Sequence, residues 1–330
     1  MFRQDRKRIG FACKFNSQLD VADPKLNIKA TTLAYLNRQT QSNAESKLWE
    51  LVKHNLKTLK LQVANAGPMF RISSDVLPLY SHEKWSYFYQ LPDVDRFISS
   101  ELSTIGDLAR SLDVRLSFHP AQFCVLASEN PEVVDNSVFE FEYHCDIIRW
   151  MGFGKEFQDF KCNVHIGGKL GPLGIKQAMR KLSTEAKNCL TIENAEFSWG
   201  LEASLELVDT CALVLDVHHH WIATGEYINP NDPRISRIKD SWRGVRPVIH
   251  YSQSREEHIE NVVDSLPDLS SLQAQGFTKA KLRAHSEMYW NSAQNLWAIQ
   301  HLDWADIMLE SKQKNLAKAK LIQDLNLTGY

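Results

Sequence analysis

Six residues able to bind a metal ion or move a proton, His119, His165, Glu193, Asp216, His250 and Glu310, each occupy the last place of a short apolar run. The runs are RLSFH (115–119), KCNVH (161–165), CLTIE (189–193), ALVLD (212–216), PVIH (247–250) and DIMLE (306–310). Two more, RIGFAC (8–13) and MFRIS (69–73), complete a set of eight, and Arg71 sits near the end of the second. Carboxylates that end apolar strands are costly unless paired or bound to a cation. Imidazole with carboxylate suits manganese, zinc or iron, and the lack of a thiolate argues against a purely structural zinc site. Asp216 opens DVHHH, which puts His219 three residues beyond it, and His285 lies in RAHSE, within reach of the same rim. Eight ligands are too many for one ion with open positions, so two or three divalent ions are expected. Ions ~3.5–4 Å apart can clamp both oxygens of a phosphodiester displacement and draw the pKa of bound water toward ~7. Phosphoester hydrolysis is therefore the expected chemistry, with Glu193, Asp216 and Glu310 as its catalytic carboxylates.

Such convergence needs a scaffold that points many strand ends at one place. In a (β/α)₈ barrel all eight parallel strands end at one rim, whereas an open doubly wound sheet brings only two or three to its switch point. Helical patterns lie between the runs. The capping-box spacing of Ser42 and Glu45 opens a helix that Gly67 and Pro68 stop. Asp93–Leu112 forms a second, and Asn130-Pro131 starts a third that reaches Met151. Further helices are predicted at 172–188, 200–210, 231–240, 291–303 and 312–325. The whole chain, 1–330, thus reads as a single TIM-barrel domain with a long rim insertion at 251–305, including a polar stretch at 253–284 expected to be mobile.

Composition agrees with this class. A 330-residue chain with 43% hydrophobic residues can bury a large core. The start MFRQDRKRIG lacks an apolar signal segment and no stretch is long enough to span a bilayer, so a soluble, cytoplasmic protein is expected. Six cysteines without CxxC spacing read as buried thiols. No GxGxxG or GxxxxGK[ST] follows the first strand, which removes support for a nucleotide cofactor. The net charge of −2 gives no general nucleic-acid signature. A carboxylate cluster loaded with cations nonetheless restores positive potential locally. Arg71, Lys169, Lys312 and Lys314, at or just beyond strand ends, are candidate phosphate contacts.

With these residues in place, the chain resembles the UV damage endonuclease family of TIM barrels. FRISSDVLP (70–78), LSFHPAQF (116–123), NVHIGG (163–168), TIEN (191–194), LDVHHH (215–220), VIHYSQS (248–254) and ADIMLESKQK (305–314) are similar to that family's blocks, in its order. The resemblance implies that His119, His165, Glu193, Asp216, His219, His250, His285 and Glu310 bind metal, usually manganese, with zinc or magnesium as other candidates. It implies damaged double-stranded DNA as partner and incision on the 5′ side of a UV photoproduct or another distortion. It also implies that Gln122 and Phe123 enter the duplex opposite the lesion, Phe123 standing where a tyrosine is common. Val248 departs from the family, which often has a lysine two residues before the seventh-strand histidine. Two other readings remain at this point: a sugar isomerase or epimerase of the xylose-isomerase type, and a damaged-DNA-binding protein whose nuclease activity has decayed. A monomer is expected, since a duplex must reach the rim unobstructed.

Overall fold

The structure is a computed structural model that describes residues 2–259 and 264–330. Eight parallel strands close into a barrel: β1 (Ile9–Ala12), β2 (Met69–Arg71), β3 (Arg115–Phe118), β4 (Lys161–His165), β5 (Leu190–Glu193), β6 (Ala212–Asp216), β7 (Val248–Tyr251) and β8 (Asp306–Leu309). Each pairs with its neighbours in chain order, and β8 returns to β1. The eight apolar runs are these strands, buried along almost their whole length because helices cover one face and the barrel interior the other. The fold is a (β/α)₈ barrel.

Residues at i, i+2 and i+4 of a strand share one face. Lys161, Asn163 and His165 of β4 accordingly share a face whose polar atoms meet residues of other strands inside the barrel. Polar groups stand at both ends of the interior. At the amino-terminal end Asp306 is fully buried among three arginines: Arg115 Nη1 and Arg246 Nε each lie 2.8 Å from it, and the Arg8 backbone N–H donates to it at 2.9 Å. Asp113 accepts both hydrogen bonds of Arg8 Nη2, at 2.7 and 2.8 Å, and the Phe2 ring covers Arg115 and Arg8.

Local structure differs from the sequence expectation in several places. The first long helix is Gln41–Asn65, and Thr40, not Ser42, caps it by accepting from the Asn43 N–H. Thr40 lies two residues earlier and caps without a glutamate partner, while Glu45 bonds to Gln41 and Tyr87 instead. The segment expected at 172–188 is a helix, Gly171–Ala178, a 3₁₀ turn and a second helix, Thr184–Cys189, capped by Ser183. The helix expected at 200–210 is the short Leu201–Leu205, and that at 291–303 is Ser292–Ile299 followed by a 3₁₀ turn. The final helix is Lys314–Asp324. An unforeseen hairpin, Asn16–Gln18 with Val21–Ala22, leaves β1 and is tied to Gln313 and Asn315. All six cysteines are unpaired.

The long insertion carries its own small core. Leu269, Leu272, Leu282 and Ile259 pack with Trp221 and Ile222 of the helix Val217–Thr224, which follows β6. Of the polar stretch 253–284, residues 260–263 lie outside the described residues. Among the described residues no helix is long and apolar enough to cross a membrane.

Candidate metal centre and groove

Register brings the ligand candidates level. His165 is paired with Glu193 across β4 and β5, and Asp216 with His250 across β6 and β7. His119 follows β3 directly and Glu310 follows β8. His219 arrives from the first turn of the helix that Asp216 caps, Asp216 Oδ1 accepting from the His219 N–H at 2.7 Å. Three triads have ligand atoms within 4.8 Å of one another: His119, His165 and Glu193; Glu193, Asp216 and His219; Asp216, His250 and Glu310. They overlap at Glu193 and Asp216. His285 falls outside these triads, but its Nδ1 donates to the Glu310 carbonyl at 2.9 Å and it lines the same cavity.

The rings are oriented from behind. A carbonyl can only accept, so Nδ1 carries the proton in His119 against the Pro120 carbonyl (3.1 Å), in His219 against the Asn194 carbonyl (3.0 Å) and in His285. His119 thereby keeps Nε2 unprotonated toward Glu193, the arrangement that metal-binding histidines favour, whereas His219 lies with Nδ1 3.5 Å from Glu193 and 3.8 Å from Asp216. Asn163 donates to Glu193 Oε2 and is itself held by Thr191 at 2.7 Å. The Asn194 side chain exchanges two hydrogen bonds with the Asp216 backbone, and the Tyr289 hydroxyl accepts from the Glu310 N–H.

Electrostatics show what this arrangement lacks. Burial works to raise the pKa of Glu193, but His250 and His165 outweigh it and hold its carboxyl well below the usual range. Burial likewise opposes ionisation of Glu310, and Arg71 and His250 reverse it. Asp216 goes the other way: burial, with Glu193 and Glu310 nearby, pushes it well above the ordinary value despite His219. Burial brings His119 down to about 4, so its neutral Nε2 faces Glu193 Oε2 at 3.2 Å, acceptor against acceptor. Against its own burial, His219 is pushed up to about 9 by Asp216 and Glu193. Asp216 Oδ2 is fully buried and has no hydrogen-bond partner. Opposed acceptors and an orphaned carboxylate oxygen are the features that divalent cations satisfy, so the donor set fits them.

A cavity of about 760 Å³ opens beside this centre, lined by Gln122, His165, Glu196, Phe197, His219, Arg283 and His285, among others. Gln122 faces this groove. Phe123, 79% exposed, borders a second cavity of about 330 Å³ together with Phe139. The four candidate phosphate contacts divide. Lys169 and Lys312 are solvent-facing and paired with Glu129 and Glu287, each at 2.8 Å. Arg71 is an inner residue paired with Glu310, and Lys314 is largely buried beside Cys13 and Arg71.

Sequence reasoning passed over Glu196, Phe197, Arg283 and Lys161. Arg283 pairs with Glu196 at 2.8 Å and lies over the Phe197 ring at 5.2 Å, joining the insertion to the loop after β5. The signals were slight: Glu196 three residues after Glu193, and Arg283 two before His285. Val248 is buried on the same strand face as His250.

Residues 7–329 match the profile of the UV-endonuclease UvdE family. The chain is 26% identical over 311 residues to the UV DNA damage endonuclease of Bacillus cereus strain B4264, covering 90% of this chain and 89% of the relative. It is 25% identical, over the same length and coverage, to the enzyme of that name from Bacillus anthracis. The crystal structure of SacUVDE superposes with a TM-score of 0.73 at 25% identity, over 97% of this chain and 99% of that one. Since the matched span runs through all eight strands and every candidate ligand, the chain belongs to the UvdE family of UV endonucleases.

Proposed function

We propose that this protein is a metal-dependent DNA repair endonuclease that hydrolyses the backbone on the 5′ side of UV photoproducts and other distorting lesions. The observation that carries the reading is the run of three overlapping triads, with an unpartnered Asp216 oxygen, at the edge of an open groove. His119, His165, Glu193, Asp216, His219, His250, His285 and Glu310 would hold two or three ions, manganese being the assignment from the family resemblance. Bound there, the ions supply a water of lowered pKa and charge stabilisation for the displacement. Glu193, Asp216 and Glu310 serve as the catalytic carboxylates by holding that centre rigid through the hydrogen bonds behind them.

The remaining roles follow from position. Gln122, which lines the groove, and the exposed Phe123 beside a neighbouring cavity would enter the duplex, since an exposed ring can stack on bases of any sequence. Arg71, Lys169, Lys312 and Lys314 are assigned to the backbone path, Arg71 and Lys314 from the inner edge and the two lysines from outside. Damaged duplex bends and unstacks more cheaply than intact duplex, so selection would rest on deformability. We read the protein as a single-domain cytoplasmic monomer, because the duplex must approach an open mouth.

The test is incision of an end-labelled duplex carrying one photoproduct, with Mn²⁺ or with chelator. A nick 5′ to the lesion, lost in chelator and in Glu193→Gln, is expected. Absence of incision with Mn²⁺, while sugar epimerisation or mere binding of the damaged duplex persists, would favour the other two readings.

A further inference from the structure

We infer that Lys161 is a positioning residue for the metal centre, holding the His250 ring so that Nδ1 faces Glu193 and Glu310. Lys161 stands at the start of β4, three strands from β7, and its side chain is buried inside the barrel. Its Nζ lies 3.0 Å from His250 Nε2, the one hydrogen bond of that amino group among the described residues; with Nδ1 kept free for a cation, Nε2 carries the ring proton and donates to it. No carboxylate lies within ion-pair distance of it among those residues, which is unusual for a buried lysine. The other side of the same ring is Nδ1, 3.1 Å from Glu193 Oε1 and 3.3 Å from Glu310 Oε1.

The consequence is geometric. His119 is fixed by a backbone carbonyl behind Nδ1 and turns Nε2 to Glu193. His250 is the reverse of His119: it turns Nδ1, the atom closer to the main chain, to Glu193 and Glu310, and Lys161 is the one hydrogen-bond partner of its far nitrogen among the described residues. A side chain from another strand must occupy that nitrogen, and Lys161 is long enough to do so from the opposite wall. Without it the ring can turn over and withdraw Nδ1 from the triad of Asp216, His250 and Glu310. Partners behind a ligand typically set metal affinity by 10–100-fold.

This inference rests on the metal reading of the centre, and Mn²⁺ binding tests the two separately. Free Mn²⁺ is titrated by electron paramagnetic resonance against wild type, Lys161→Met and Lys161→Gln, with each variant's melting curve in chelator recorded to establish folding. Glutamine keeps a polar group beside Nε2 but no charge. Lys161→Met is expected to weaken one Mn²⁺ site by about 10–100-fold and leave the other intact, with Lys161→Gln staying within about threefold of wild type. Equal affinities in all three proteins, or equal losses in Met and Gln, would overturn the positioning role. No Mn²⁺ uptake by wild type would instead overturn the metal reading beneath it.

Discussion

Replacing Asp216 by asparagine should stabilise the metal-free protein and destabilise the metal-loaded one, a reversal of sign that an aspartate with a purely structural role would not give. Asparagine keeps the cap on the His219 N–H, because its side-chain oxygen can accept that bond as Asp216 Oδ1 does at 2.7 Å. What changes is charge. Asp216 has ligand atoms within 4.8 Å of Glu193 and of Glu310, and Oδ2 is 3.8 Å from His219 Nδ1. At an effective dielectric of about 20, each like-charge contact costs about 3.5 kcal/mol and the imidazolium returns about 4.4 kcal/mol. The balance is about 2.5 kcal/mol against the ionised carboxylate. For a chain of this length the unfolding entropy is about 0.7 kcal/mol/K, so the variant should melt about 3–4 °C higher in chelator. In Mn²⁺ at 100 times the dissociation constant, wild type gains about 2.7 kcal/mol per filled site. The variant loses an anionic ligand shared by two triads and should forfeit half or more of that gain. Differential scanning calorimetry with chelator and with Mn²⁺ reads both effects. A lower melting temperature in chelator, or an undiminished Mn²⁺ shift, would refute the idea that Asp216 is held for a cation.

Three further outcomes follow from separate parts of the molecule. Phe123→Ala should leave the melting temperature almost unchanged, because the ring is 79% exposed, yet weaken binding to a damaged duplex by roughly 5–100-fold in a titration; equal affinity would remove the stacking role. His144 is fully buried, and burial brings its pKa down to about 4, below the unfolded value of about 6.5. Its contribution is therefore complete above about pH 6.5 and falls away as pH drops, by about 3 kcal/mol at pH 4, so urea midpoints of His144→Leu should decline less than wild type across that window. Asp306→Asn leaves Arg8, Arg115 and Arg246 without their shared anion and should cost about 3–5 kcal/mol in a urea melt, with Mn²⁺ affinity of the folded protein unchanged; a loss of metal binding would show the two ends of the barrel to be coupled.

The fold and the clustering of the ligand candidates were legible because parallel strands buried on both faces leave apolar runs, and a polar residue ending such a run marks the rim. His219 was legible from its spacing to Asp216, which is the spacing of a helix cap. Partners within the barrel were not. KCNVH reads as a strand with two incidental polar residues, yet Lys161 and Asn163 face His250 and Glu193 on other strands. Nothing local records that β4 and β7 look at each other across the interior. Arg283 and Glu196 are 87 residues apart and meet only because the insertion packs on Trp221 and Ile222. The first helix cap was misplaced for a smaller reason: Thr40 and Ser42 both have cap-forming hydroxyls, and a glutamate three residues on favours Ser42 only if that glutamate is not engaged elsewhere.

The two ends of the interior differ in how their charges close, and that difference decides where ions can bind. At the amino-terminal end the anions Asp306 and Asp113 lie among Arg8, Arg115 and Arg246, each carboxylate meeting guanidinium groups at hydrogen-bond distance. That end is satisfied by the chain itself. At the rim Glu193, Asp216 and Glu310 meet Arg71 through Glu310 alone, while Lys161 turns its amino group to His250. Three buried carboxylates facing one paired arginine leave an anionic surplus that burial makes expensive. His219, pushed up to about 9, offsets part of it, and Asp216 Oδ2 still has no partner. The fold closes its charges at one end and leaves a buried surplus at the other, the end beside the cavity of about 760 Å³.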